Sequence, residues 1–226
     1  MNASEEAGRS RFRLVIFDLD GTLIRLDKSV WQLLHDALGT DPEERTATLR
    51  AARSGAITYD EWFQTDLVML REAGARRGDI ARILGGLEVQ EGAWELMDAL
   101  REAGTRLAVI SGGLKMTVDL AFPDFEFDRV FINEVHYDEE GTILGGASTP
   151  YDGPGKARGL EKLAREWDLS ADEIAFVGDG SNDVEIAACA GFSVAWGNAP
   201  EGLKAVSTCS VAGPDLRELI GMLTFQ

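Results

Sequence analysis

Residues 13–18 read Arg-Leu-Val-Ile-Phe-Asp, an apolar run with no polar alternation that stops at an acid. A strand of this kind has to be covered on both faces, as strands of a parallel sheet are. Residues 107–110 and 174–177 repeat the pattern, and residues 193–196 repeat it more weakly. Helical spacing of apolar residues occurs between them, at 94–103, 159–167 and 183–189. Strands alternating with helices predict an α/β domain with a doubly wound, mostly parallel sheet. In such sheets ligands collect outside the carboxyl ends of the strands, which is where the acidic residues fall.

Between the first strand and the one at 107 lies a long stretch without a convincing strand. Apolar residues recur at helical spacing over 29–38 and 61–72, and more briefly over 79–84. Residues 26–90 are therefore read as a small helical cap inserted after the first strand, above a core formed by 13–25 and 91–226. Residues 1–12 are read as a flexible lead-in. Residues 131–146 carry a Glu139-Glu140-Gly141 turn between semi-apolar flanks and predict a β-hairpin.

Charge narrows the partners. With 22 basic and 39 acidic residues the net charge is -17. Such a surface repels nucleic acid and anionic membranes. No apolar run is long enough to span a bilayer. Two cysteines without a partner motif, Cys189 and Cys209, favour a reduced, cytoplasmic setting. Only five of the basic residues are lysines, which suits either a high-salt cytoplasm or a GC-rich genome. A monomer or a homodimer is expected.

Asp18-Leu19-Asp20-Gly21-Thr22 follows the first buried strand. Two carboxylates at i and i+2 on a strand end can share one side, and their burial calls for a cation or hydrogen bonds. Mg²⁺ favours such hard oxygen ligands. Taken alone, the same residues could form an Asx turn capping a helix. A second acidic strand end, Gly178-Asp179-Gly180-Ser181-Asn182-Asp183, makes the bland reading less economical. Ser111-Gly112-Gly113 ends the strand at 107 and offers a hydroxyl and backbone N–H groups to a phosphate, at what reads as a helix N-terminus. Lys156, just before a helix, can neutralise phosphate or pair with the acids.

In that order these four motifs resemble those of the haloacid-dehalogenase-like (HAD) hydrolases, over nearly the whole chain. The branch they most resemble is the phosphoserine-phosphatase type, with a Rossmann-like core and a helical cap. The resemblance implies a Mg²⁺-dependent phosphatase acting on a small phosphorylated metabolite. It makes Asp18 the nucleophile that becomes an aspartyl phosphate and Asp20 the general acid and base. It implies that Asp18, the Asp20 backbone carbonyl and Asp179 hold Mg²⁺, supported by Asp183, and that Ser111, Gly112, Lys156 and Asn182 cradle the phosphoryl group.

For the cap, the resemblance puts Asp27 where an acid meets the substrate amine, and Asp66 where an arginine meets the substrate carboxylate. Arg71 is the possible substitute. An acid at 66 would repel phosphoserine, so a neutral or cationic phosphomonoester is expected to be preferred. The alternatives are phosphoserine phosphatase proper, a phosphotransferase or phosphomutase sharing the aspartyl phosphate, and a phospho-accepting regulatory module without turnover.

Overall fold

The computed structural model of the chain describes residues 10–224. The expected lead-in lies outside it up to residue 9. Phe12, assigned to that lead-in, is instead a core residue, 3% exposed with its ring 5.4 Å from that of Phe192.

In chain order the elements are β1 (Leu14–Phe17), β2 (Ile24–Arg25), α1 (Val30–Leu38), α2 (Pro42–Arg53), α3 (Tyr59–Glu72), α4 (Arg77–Leu84) and β3 (Glu88–Val89). Then come α5 (Ala93–Glu102), β4 (Arg106–Leu114), α6 (Lys115–Ala121), β5 (Arg129–Tyr137), β6 (Ile143–Ala147) and α7 (Gly155–Glu166). The chain continues with β7 (Ile174–Gly178), α8 (Val184–Cys189), β8 (Phe192–Trp196), α9 (Glu201–Val206), β9 (Cys209–Val211) and α10 (Ile220–Thr224).

The main sheet runs β6-β5-β4-β1-β7-β8-β9, with only β6 antiparallel to its neighbour. Its central strand, β1, is flanked in parallel by β4 and β7. That position explains the unbroken apolar run: Val15 and Phe17 pack with Leu96, Met97 and Leu100 on one face, while Leu14 and Ile16 pack with Leu160, Leu163 and Ile186 on the other. The acids at the ends of β1 and β7 are neighbours because these strands pair in register, Phe17 opposite Val177.

Helices α1–α4 lie between the two short strands β2 and β3, which pair antiparallel. They bury Val30, Trp31, Leu34, Trp62, Phe63 and Leu67 in a cluster of their own, joined by Leu114 and Ile143 from the main sheet. Local signals start these helices. Ser29 caps α1 through the Gln32 N–H, Asp41 caps α2 ahead of Pro42, and Thr58 with Glu61 forms a reciprocal capping box on α3. The expected hairpin is present, but β5 is also a strand of the main sheet, parallel to β4. Among the described residues no helix is long and apolar enough to cross a membrane.

Candidate active site

Asp18 directly follows β1 and is 4% exposed. Its Oδ1 lies 2.9 Å from Nζ of Lys156, which is fully buried and donates to Asp183 Oδ1 at 2.7 Å. Burial by itself would lower the lysine, but Asp18, Asp183 and Asp152 raise it well above its ordinary value. The ammonium therefore sits as a fixed positive charge beneath the acids.

Carboxylate oxygens of Asp18, Asp179 and Asp183 lie within 4.8 Å of one another. Asp183 is already engaged: besides Lys156 it accepts the Gly180 N–H on Oδ2 at 2.8 Å. Burial raises its carboxyl above the usual range, opposed by Lys156. Asp179 is turned by Thr22, whose hydroxyl donates to Oδ1 at 2.8 Å. Burial, and then the charge of Asp18, pushes the Asp179 carboxyl up to about 8. Once ionised, three acids against one lysine leave excess negative charge in a partly dehydrated place, and the raised Asp179 and Asp183 carboxyls register that cost, which a bound cation would compensate. Hard carboxylate oxygens suit Mg²⁺, with Asp18 and Asp179 the residues left to hold it. The Asp20 side chain stands outside this cluster, so any metal role for Asp20 rests on its backbone carbonyl.

Asp20 is held differently. Its Oδ2 accepts the backbone N–H of Val30 at 2.8 Å, while its Oδ1 is buried without a partner. Burial dominates, the Val30 bond opposes it, and the carboxyl is pushed up to about 7. A carboxyl able to carry a proton near neutral pH beside one paired with a lysine is the division of labour that acid–base catalysis needs.

Between these acids the chain turns at Gly21. There φ is +88°, and a Cβ would stand 2.2 Å from Asp179 Oδ2. The positive φ favours glycine at 21, and a side chain there would also displace the Asp179 carboxylate.

Ser111 and Gly112 line the same cavity, of about 910 Å³, as do Asp18, Asp20, Asp179 and Asn182. Ser111 to Gly113 do not open a helix, as the sequence suggested. They lie within β4, where its register with β5 shifts, and α6 begins only at Lys115. Asn182 donates to Asp152 Oδ1 at 3.3 Å. Asp152 was not singled out from sequence. It lines the cavity against Gly112, where a Cβ would meet its Oδ2 at 2.2 Å.

The cap side differs from expectation. Asp27 does line the cavity. Asp66 does not: it is fully buried among helices α1–α3, its Oδ2 3.1 Å from His35 Nε2 and 3.8 Å from Arg45 Nε. Arg71 is exposed and away from the cavity. Asp66 therefore does not stand where the resemblance put it, against a substrate, because α3 turns that side chain inward toward α1 and α2. The basic residues lining the cap end are Lys28, Arg45 and Arg53. Both arginines come from α2, a helix so polar that its sequence carries no apolar stripe to announce it. Tyr59, Trp31 and Trp62 complete that wall.

A family model described as haloacid dehalogenase-like hydrolase matches residues 15–188. The chain is 34% identical over 212 residues to a phosphoserine phosphatase of Archaeoglobus fulgidus, covering 93% of this chain and 60% of that one. It is 30% identical over 212 residues to the phosphoserine phosphatase SerB2 of Mycobacterium tuberculosis, covering 93% and 50%. The chain thus spans only half to three fifths of the length of these two relatives. A solved structure described as a phospho-aspartyl intermediate analogue of phosphoserine phosphatase superposes with a TM-score of 0.75, at 22% identity, covering 95% of this chain and 100% of that one. At that identity the likeness concerns the fold.

Proposed function

The chain belongs to the haloacid dehalogenase-like hydrolase family, and from that premise we propose that it is a Mg²⁺-dependent phosphatase acting on a small phosphomonoester. The observation that carries this reading is the contrast within one strand end. Asp18 faces the Lys156 ammonium at 2.9 Å, while Asp20 keeps a buried, unpartnered Oδ1 and a carboxyl pushed up to about 7.

In this reading an Asp18 oxygen attacks phosphorus as the ester P–O bond breaks, and Asp20 gives its proton to the departing oxygen. Asp20 then takes a proton from water, the water oxygen attacks the phosphorus, and the bond to Asp18 breaks to release phosphate. Lys156 and the Ser111 hydroxyl neutralise charge on the phosphoryl oxygens. Mg²⁺, held by Asp18 and Asp179, would add further compensation for that charge. Helices α1–α4 serve as the cap that shields the reaction and reads the rest of the substrate.

Phosphoserine is the first ester to test. The two relatives above carry it in their names, and the objection from Asp66 falls away once that acid is placed inside the cap. Asp27 and the exposed Arg53 line the same cavity, which supports a substrate with both an ammonium and a carboxylate. Phosphate release from phosphoserine, neutral phosphomonoesters and an aryl phosphate, with and without Mg²⁺, tests the reading. Absence of release from every ester in Mg²⁺ would leave a phospho-accepting module without turnover as the better account.

A further inference from the structure

Trp31 is the second residue of α1, 3% exposed, with its ring edge-on to Trp62 and Phe63 at 5.6 Å each. Its indole N–H reaches out of this aromatic cluster and donates to the Gly112 carbonyl at 2.8 Å. The same carbonyl accepts a second bond, from Asn133 Nδ2 at 2.7 Å. Asn133 is fully buried and itself fixed. Its Oδ1 accepts the Thr149 N–H at 2.8 Å, and its Nδ2 also meets Tyr59 Oη at 2.8 Å and the Gly113 carbonyl at 3.1 Å.

A peptide unit is planar, so fixing the Gly112 carbonyl fixes the Gly113 N–H on its opposite edge. That N–H donates to Ser111 Oγ at 3.1 Å. A serine hydroxyl has one proton and two lone pairs. With a lone pair committed to Gly113, the proton is left to donate. A continuous chain therefore runs from the Trp31 indole, through the Gly112–Gly113 peptide, to the Ser111 hydroxyl at the cavity, and bonds in such chains polarise one another.

A buried indole needs some acceptor, and packing alone would explain its burial. It does not explain why the acceptor is a carbonyl that Asn133 already satisfies, next to Ser111 near the end of β4. The turn that carries Trp31 also places the Val30 N–H on Asp20. The cap thus touches two site groups through consecutive residues.

We propose that Trp31 is a positioning residue for the phosphate-binding hydroxyl of Ser111, acting through the Gly112–Gly113 peptide, so that the cap must be docked for the phosphate cradle to be complete. The proposal rests on the phosphatase reading, in which Ser111 donates to the phosphoryl group.

Trp31→Phe keeps a ring in the aromatic cluster and removes the donor. With the full chain in Mg²⁺, calorimetric titration with inorganic phosphate is expected to show Kd weakened about tenfold, the scale of one lost hydrogen bond. In a Ser111→Ala background the same change should alter Kd by less than about twofold, because the group being positioned is gone. A general loosening of the cap would weaken binding in both backgrounds alike. Equal effects in both, or no effect in either, overturn the proposal. Trp31→Met, measured in the same two backgrounds, repeats the test if the phenylalanine variant loses its cooperative thermal transition. A wild type that binds inorganic phosphate yet releases none from any ester sinks the phosphatase reading instead, and the double-mutant cycle still decides the role of Trp31.

Discussion

The backbone N–H of Val30 donates to Asp20 Oδ2 at 2.8 Å, tying the first turn of α1 to the side chain that stands two residues beyond Asp18. This bond opposes the effect of burial on the Asp20 carboxyl and fixes which of its oxygens remains unpartnered. In the proposed reading, Asp20 is therefore the group on which the position of α1 and proton transfer meet. Asp20→Asn keeps an acceptor oxygen for Val30 but loses the titrating proton. It should lower kcat roughly 100-fold or more, the usual scale for removing a general acid–base, with the thermal midpoint little changed. Steady-state rates with a phosphomonoester in Mg²⁺ check this. An unaltered rate would remove Asp20 from proton transfer.

Thr22 and Asp179 form the second such relationship. The Thr22 hydroxyl turns Asp179 toward the acid cluster from a position 0% exposed. Thr22→Val should weaken Mg²⁺ affinity roughly 10- to 100-fold, as is common when the group orienting a ligand is lost. Thr22→Ser should recover most of it. Mg²⁺ titrations followed by thermal shift read this without relying on turnover.

Asp20, Asp179 and Asp183 all have carboxyls raised above their ordinary values, chiefly by burial. Raised acids contribute stability that is fully present below the unfolded-state value near 4 and is lost as pH rises through the folded value. For Asp20 and Asp179 those folded values are about 7 and about 8. The chelated protein should therefore lose thermal stability between about pH 5 and pH 8. Mg²⁺, binding the ionised acids of the folded state, should restore more stability at pH 8 than at pH 6. A chelated protein whose midpoint rises across that interval would contradict the assignment.

The central strands were legible because burial on both faces writes itself as an unbroken apolar run, as at Leu14–Phe17 and Ile174–Gly178. The acids at their ends were legible for the same reason: carboxylates are out of place directly after such runs. The polar helix α2 was not, since its residues face solvent on most sides and only Arg45 is buried. The pairing of Thr22 with Asp179 spans 157 positions and has no local signature. Asp66 misled because sequence spacing gives a helix face but not what that face meets. Here it meets His35 and Arg45.

That correction has its own consequence. Asp66 on α3 compensates Arg45 on α2, so Asp66→Ala would leave a buried arginine uncompensated, at a cost of about 3 kcal/mol. For a chain of this size that corresponds to a thermal midpoint lower by about 10 °C. Asp66→Arg would bury a second cation beside the first and should destabilise further, without improving turnover of phosphoserine. Thermal melts of both variants decide it, and a stable Asp66→Arg with enhanced phosphoserine turnover would return Asp66 to the substrate site.

The most direct test is to catch the phosphoryl group on the chain. Wild type mixed with a phosphomonoester in Mg²⁺ and quenched in acid during turnover should yield, by mass spectrometry, a phosphorylated peptide whose modified residue is Asp18. The modification should be released by hydroxylamine, as acyl phosphates are, and should be absent from Asp18→Asn along with phosphate release. A phosphoryl group found on another residue, or phosphate release by Asp18→Asn at the wild-type rate, would contradict nucleophilic catalysis by Asp18.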